Sequence, residues 1–128
     1  MIGEEKPILW IGSSKKDLMA LPVDVRKFFG HALDFAQRGD QHSAAKSFKG
    51  FGGAGVLEIV EDDMSGTYRA VYTVKFEEAI FVLHCFQKKS KHGIETPKKD
   101  MDIIRDRLKT AELWVKELRN GKTAHQRR

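Results

Sequence analysis

A guanidinium (Arg69), an imidazole (His84), an ammonium (Lys88) and a carboxylate (Glu58) stand out in the second half of the chain, on short stretches rich in β-forming residues. Together they suit proton transfer beside an anion. An imidazole titrates near neutral pH, a carboxylate accepts a proton, and fixed cations stabilise negative charge as it develops. Phe86, two residues from His84, offers a ring on which a base can stack. Lys89 and Lys91 extend the positive charge into a cluster, residues 88–99, that holds five basic residues against one acidic. Cleavage of single-stranded RNA without a metal needs only such parts: a group to deprotonate the 2′-OH, a group to protonate the leaving oxygen, and cations for the phosphorane. No cofactor is implied. Each residue also has a plainer reading. His84 fits a hydrogen-bonded structural residue, Glu58 with Arg69 a cross-strand ion pair, and Lys88 with Lys89 a guard against edge pairing.

Whether these side chains meet depends on strand register. The segments VLEIVE, TYRAVYTVKF and AIFVLHCFQKK are joined by short polar turns and read as an antiparallel meander. If Glu77 and Glu78 form a tight turn, Val71 faces His84, Arg69 faces Phe86 and Thr67 faces Lys88. One face then carries Arg69, Val71, His84, Phe86 and Lys88, and the other Tyr68, Tyr72, Phe81, Leu83 and Cys85. The second face is the more apolar and is expected to pack on helices, leaving the first open. A four-residue loop at 62–65 sets Glu58 directly opposite Arg69. A slip of one residue in either turn would turn half of the set into the core.

The remaining elements frame this sheet. KPILWIG reads as a strand ended by Gly12, and 14–21 as a short helix. A second helix opens at Pro22, with Val25, Phe28, Phe29, Ala32 and Ala36 on one face. Residues 40–55 hold four glycines without a sustained period and read as a loop; their spacing matches neither phosphate-binding pattern. Thr96 and Pro97 start a final helix whose stripe Met101, Ile104, Leu108, Ala111, Val115 and Leu118 runs toward Gly121. The expected fold is α+β: an N-terminal helical hairpin packed on a small antiparallel sheet, with a C-terminal helix. A single domain over 1–128 is expected, with an ordered core of about 7–118 and a basic tail at 119–128.

Composition agrees with a globular domain. Of 128 residues, 41% are apolar and 32% charged, and the net charge of +5 is concentrated in the clusters at 88–99 and 119–128. That concentration favours a polyanion over a merely solubilised surface as its explanation. No apolar run approaches the roughly 18 residues of a membrane span. The first residues carry acids where a signal peptide needs bases, and the lone Cys85 has no partner for a disulfide. A cytoplasmic protein without membrane contact is expected. Ser13 and Lys16 have the spacing of penicillin-binding enzymes, but the companion motifs are missing.

Several motifs in order carry a resemblance. Tyr68-Arg69 with Tyr72, then Leu83-His84 with Phe86 and Lys88-Lys89, then Thr96-Pro97, then Arg105 with Arg107-Leu108, and upstream KSFKGFGGAGVLE with Lys46, Lys49 and Glu58. This set resembles the phage-derived, HigB-like branch of the RelE/ParE toxin superfamily, over roughly residues 7–115. The resemblance implies a type II toxin that acts as a ribosome-dependent mRNA endonuclease and is held inactive by a helix-turn-helix antitoxin. By position, Arg69 and Lys88 match phosphate-contacting residues, Lys46 and Lys49 match a basic loop, and His84 matches a family histidine. The superfamily also holds gyrase-poisoning members that cleave no RNA, so a non-enzymatic toxin or an RNA-binding module of the same fold is the alternative.

Overall fold

The stretch IFVLHCF is apolar almost without alternation, which marks a strand covered on both faces. In the structure, a computed structural model that describes residues 5–52, 55–88 and 96–126, it forms β5 (Ile80–Lys88), buried from Ile80 to Phe86. Around it lies a five-stranded mixed sheet. β1 (Ile8–Trp10) runs parallel to β5 on one side, and β4 (Gly66–Thr73), β3 (Val56–Asp63) and β2 (Ala45–Ser47) follow antiparallel on the other. The fold is α+β, as expected from the sequence. The parallel placement of β1 and the short edge strand β2 were not; 40–55 reads as a loop because three residues between glycine-rich flanks carry no period.

Among the described residues, three helices complete the layers. α1 (Ser14–Met19) and α2 (Val23–Gln37) cover one face, where Leu18, Val25, Phe29, Ala32 and Leu33 pack against Leu57, Ile59, Tyr68, Tyr72, Ile80 and Val82. α3 (Lys98–Gln126) covers the other, with Ile104, Ala111 and Val115 against Val71, Phe81, Leu83 and Phe86. Full burial of a side chain such as Ile104 is worth about 1.5–3 kcal/mol. The expectation of an open sheet face is therefore overturned. The apolar stripe of α3 needs a face of its own, and Val71, Phe81, Leu83 and Phe86 supply it. α3 also continues through Gly121 to Gln126, so no break separates core from tail at 118. Its last stripe residue, Leu118, is half exposed, and Arg119 pairs with Glu78 at 2.7 Å.

Register explains which expectations survive. β4 and β5 pair as anticipated from Thr67–Lys88 to Val71–His84, then shift, so that Tyr72 faces Val82 and Thr73 faces Phe81. Leu83 is the extra residue of this bulge. Phe81 and Leu83 consequently lie on the α3 side, not beside Tyr68 and Tyr72. No tight turn forms at Glu77 and Glu78; the connection runs over 74–79. The β3–β4 turn is two residues long, with Asp63 paired to Gly66, and Arg69 faces Val60 while Glu58 faces Val71. This offset of two residues along β3 preserves facing, so Glu58 and Arg69 still share one side.

The bulge is tied to α3 by one side chain. Arg107 donates from Nη1 to the Leu83 carbonyl at 2.9 Å and from Nη2 to Ser13 Oγ at 3.1 Å. Gly12, at φ +58°, lies directly beneath: a Cβ there would stand 2.8 Å from Arg107 Nε. Gly12→Ala is expected to cost about 1–2 kcal/mol through the left-handed backbone alone, more if the anchored guanidinium is displaced, and to lower the thermal midpoint by several degrees. An unchanged midpoint would mean that this strand end relaxes away from Arg107.

Candidate phosphate-binding cleft

Where α3 begins, it leaves part of the β2–β3–β4 surface uncovered, and a cleft of about 740 Å³ opens there. Among the described residues, four cationic side chains line it, Lys46, Lys49, Arg69 and Lys88, against two carboxylates, Glu58 and Asp62. Each reaches it for a local reason. The β2–β3 pairing sets Lys46 opposite Glu58, and Lys49 follows on the turn that leaves β2. The β4–β5 pairing sets Lys88 opposite Thr67, two residues along β4 from Arg69. Phe48 and Met101 supply apolar wall.

Arg69 occupies the middle of this surface, its side chain 7% exposed and that of Glu58 13%. Nη1 lies 3.4 Å from Glu58 Oε2 and donates to Thr96 Oγ1 at 2.9 Å. Thr96 thus acts as an acceptor for the guanidinium at the foot of α3, a role that its reading as the start of the final helix did not include. A guanidinium at this depth requires such partners, since a buried cation without them costs several kcal/mol.

His84 and Phe86 share a side of the sheet with Arg69 but do not line the cleft. His84 Nε2 lies 2.8 Å from Asp100 Oδ1, Nδ1 lies 3.5 Å from Arg107 Nη1, and the ring stacks on Phe86 with centroids 4.5 Å apart and 16° between planes. Phe86 is 9% exposed. Enclosed between β5 and α3, it offers no platform to a base, which corrects the stacking role expected for it. Burial pushes His84 below the ordinary value of 6.5, against the hydrogen bond and charge of Asp100, which raise it, and with the charge of Arg107, which lowers it further. The neutral ring donates Nε2–H to Asp100 and accepts from Arg107 at Nδ1. Its effect on the cleft is indirect: it holds the first turn of α3, which is preceded by Thr96. Lys89 and Lys91 lie outside the described residues. Cys85, its thiol pushed up to about 12 by burial, is an inert part of the core.

Sequence reasoning missed two contributors. Thr96 enters the site by a hydrogen bond across 27 residues, and Arg107 organises the bulge behind His84. Both stand in the TP and R-x-R-L motifs, yet only the covering of the sheet by α3 gives them these tasks.

Among the described residues no helix is long and apolar enough to cross a membrane. Compared with known proteins, residues 16–109 match the family model described as phage derived protein Gp49-like (DUF891). No curated protein matches the chain significantly.

The depressed His84 makes a prediction about pH. As pH falls below 6.5, the unfolded chain takes up a proton that the folded chain resists, so the unfolded state binds more protons and stability declines. The thermal midpoint should therefore drop from about pH 7 to about pH 5. His84→Gln keeps a donor and an acceptor but does not titrate, and its midpoint should drop less over the same window. Parallel slopes for the two proteins would assign the effect to other groups.

Proposed function

The chain belongs to the phage-derived Gp49-like family, and from that premise and the cleft we propose that it is a toxin of the RelE/ParE type which cuts mRNA on the ribosome. The observation that carries the reading is the gathering of Lys46, Lys49, Arg69 and Lys88 around Glu58 in one cleft. Cations on β2, β4, β5 and the turn that leaves β2 match the charge of a phosphodiester backbone. The carboxylate among them gives the cleft a proton acceptor.

RNA carries its own nucleophile. In this mechanism the scissile phosphate rests on Arg69, and the Glu58 carboxylate takes the proton of the neighbouring 2′-OH. The 2′-oxygen forms a bond to phosphorus while the bond to the 5′-oxygen breaks. The leaving oxygen takes a proton from Lys88, and the products are a 2′,3′-cyclic phosphate and a 5′-hydroxyl. Attacking and leaving oxygens must lie on opposite sides of phosphorus. Glu58 on β3 pairs with Val71 and Lys88 on β5 with Thr67, so they stand on either side of Arg69's strand with backbones roughly 16 Å apart, two strand spacings across and four residues along. Their long side chains reach inward toward a phosphate on Arg69 between them. Lys46 and Lys49 track the backbone beyond. His84 acts here as a positioning residue, holding α3 so that Thr96 meets Arg69.

The reading includes a cognate helix-turn-helix antitoxin that covers the basic cleft, with charge attraction speeding encounter and apolar burial slowing release. Action in the cytoplasm, where mRNA and ribosomes are, belongs to the same proposal.

Arg69 gives the sharpest test. Purified protein is added to translating ribosomes and the mRNA ends are mapped. Arg69→Ala should lower the cleavage rate about two orders of magnitude, the scale of roughly 3 kcal/mol for one charge-stabilising donor. Arg69→Lys, which keeps charge but loses the fork, should fall between. Because Arg69→Ala also strips Glu58 of a buried partner, thermal midpoints are measured on the same preparations. Folded variants that cut at the parent rate would refute the role of Arg69. A parent protein that cuts no mRNA but blocks DNA supercoiling by gyrase would favour the non-enzymatic alternative.

A further inference from the structure

With Phe86 enclosed, a base entering the cleft needs another ring, and the segment that carries Lys49 holds one. Phe51 is half-buried and, like Met101, packs against the buried cluster between the sheet and α3. Its centroid is 5.5 Å from that of the cleft-lining Phe48, at 30° between planes, and the Arg105 guanidinium carbon stands 5.9 Å from it. The backbone on either side of this ring depends on glycine. Gly50 and Gly52, at φ +98° and +56°, adopt conformations that other residues avoid. A Cβ on Gly50 would come within 3.2 Å of Met101 Cε, so the segment lies close against α3.

The spacing of ring and guanidinium is informative. It stands near the outer limit of a cation–π contact, about 6 Å. It falls about 1 Å short of the roughly 7 Å that two stacking contacts of about 3.5 Å require. Arg105 is more than half exposed, and its ion-pair contact to Asp102 is a loose 4.0 Å. It can swing outward by that margin without disturbing the core. Lys49 and Phe51 are two residues apart, at most about 7 Å along the chain, so a phosphate on Lys49 and a base on Phe51 fit one nucleotide.

We propose that Phe51 and Arg105 form a nucleobase subsite, in which the base of a nucleotide held in the cleft inserts between the ring and the guanidinium. The inference rests on the RNA reading of the cleft and adds to it the place where the substrate's base is held. Every base presents a π-face, so such a subsite tolerates sequence and favours purines through stacking strength.

The test measures binding rather than cleavage. The probe is a short model mRNA, 2′-O-methylated throughout so that it stays intact, prepared with all bases and with single abasic substitutions, and titrated both free and on ribosomes. The parent should bind the intact probe about tenfold more tightly than one abasic version, within the range for a single base–aromatic stack. Phe51→Leu, which keeps apolar volume but not the ring, and Arg105→Gln, on an exposed helix flank, should each shrink that ratio. Phe51→Trp should keep it. Thermal midpoints near the parent's would show that the variants fold. A parent indifferent to every abasic position, or folded Phe51→Leu and Arg105→Gln proteins that keep the full ratio, would overturn the subsite and leave the cleft's phosphate role standing. A parent that binds none of the probes and cuts no unmodified mRNA would overturn the RNA reading, and the subsite with it.

Discussion

A guanidinium held against a sheet face that a helix partly covers must be met by a carboxylate and by hydrogen-bond acceptors, or its desolvation outweighs anything it contributes. Arg69 is in that position, and much of the local structure follows from satisfying it. Glu58 supplies the counter-charge from the next strand, and Thr96 supplies an acceptor from the start of α3. The start of the helix is therefore tied to the sheet by a polar contact as well as by its apolar stripe. Four residues on, Asp100 makes a second tie to His84, and its charge also suits the positive end of the helix dipole. The cleft has a floor of charge because these contacts fix where the helix begins.

The same helix both closes the sheet and leaves the site open. Ile104, Ala111 and Val115 cover the apolar part of β4 and β5, while the surface toward β2, where Lys46 and Glu58 pair, stays uncovered. The bulge at Leu83 joins the two regions. It turns Leu83 and His84 to the same side and frees a carbonyl for Arg107, so one irregularity in β5 serves both helix docking and the placement of His84. Bulges that re-aim side chains beside functional sites are a recurrent use of an otherwise costly break in the ladder.

Much of this was legible in the sequence, for identifiable reasons. The two-residue period kept Glu58 on the side of Arg69 although the turn between them is shorter than expected, because an even offset preserves facing. The pairings of Arg69 with Phe86 and of Val71 with His84 match those deduced from a tight turn at Glu77 and Glu78, although that turn does not form: the longer connection and the extra residue Leu83 offset each other. The bulge was not legible, since no glycine or proline marks it, and it carried Phe81 and Leu83 to the other side. The open face was a misreading that IFVLHCF argued against: a nearly continuous apolar strand has two covers. The resemblance singled out Lys46 and Lys49 as a basic loop, and both line the cleft, whereas composition alone gave only a glycine-rich loop. β2 itself has three residues, too few for a pattern to show.

The central claim is that this cleft cuts RNA by turning the substrate's own 2′-hydroxyl on the neighbouring phosphate. One measurement addresses it directly. Once a major cut site has been mapped on a translated mRNA, the same message is prepared with a single 2′-deoxynucleotide on the 5′ side of that bond, and cutting at the site is quantified beside an unmodified control. The account predicts that the deoxy-substituted bond stays intact while other sites in the same message are cut as before, with 2′,3′-cyclic phosphate at the new ends. Cutting of the deoxy-substituted bond at the control rate would contradict it.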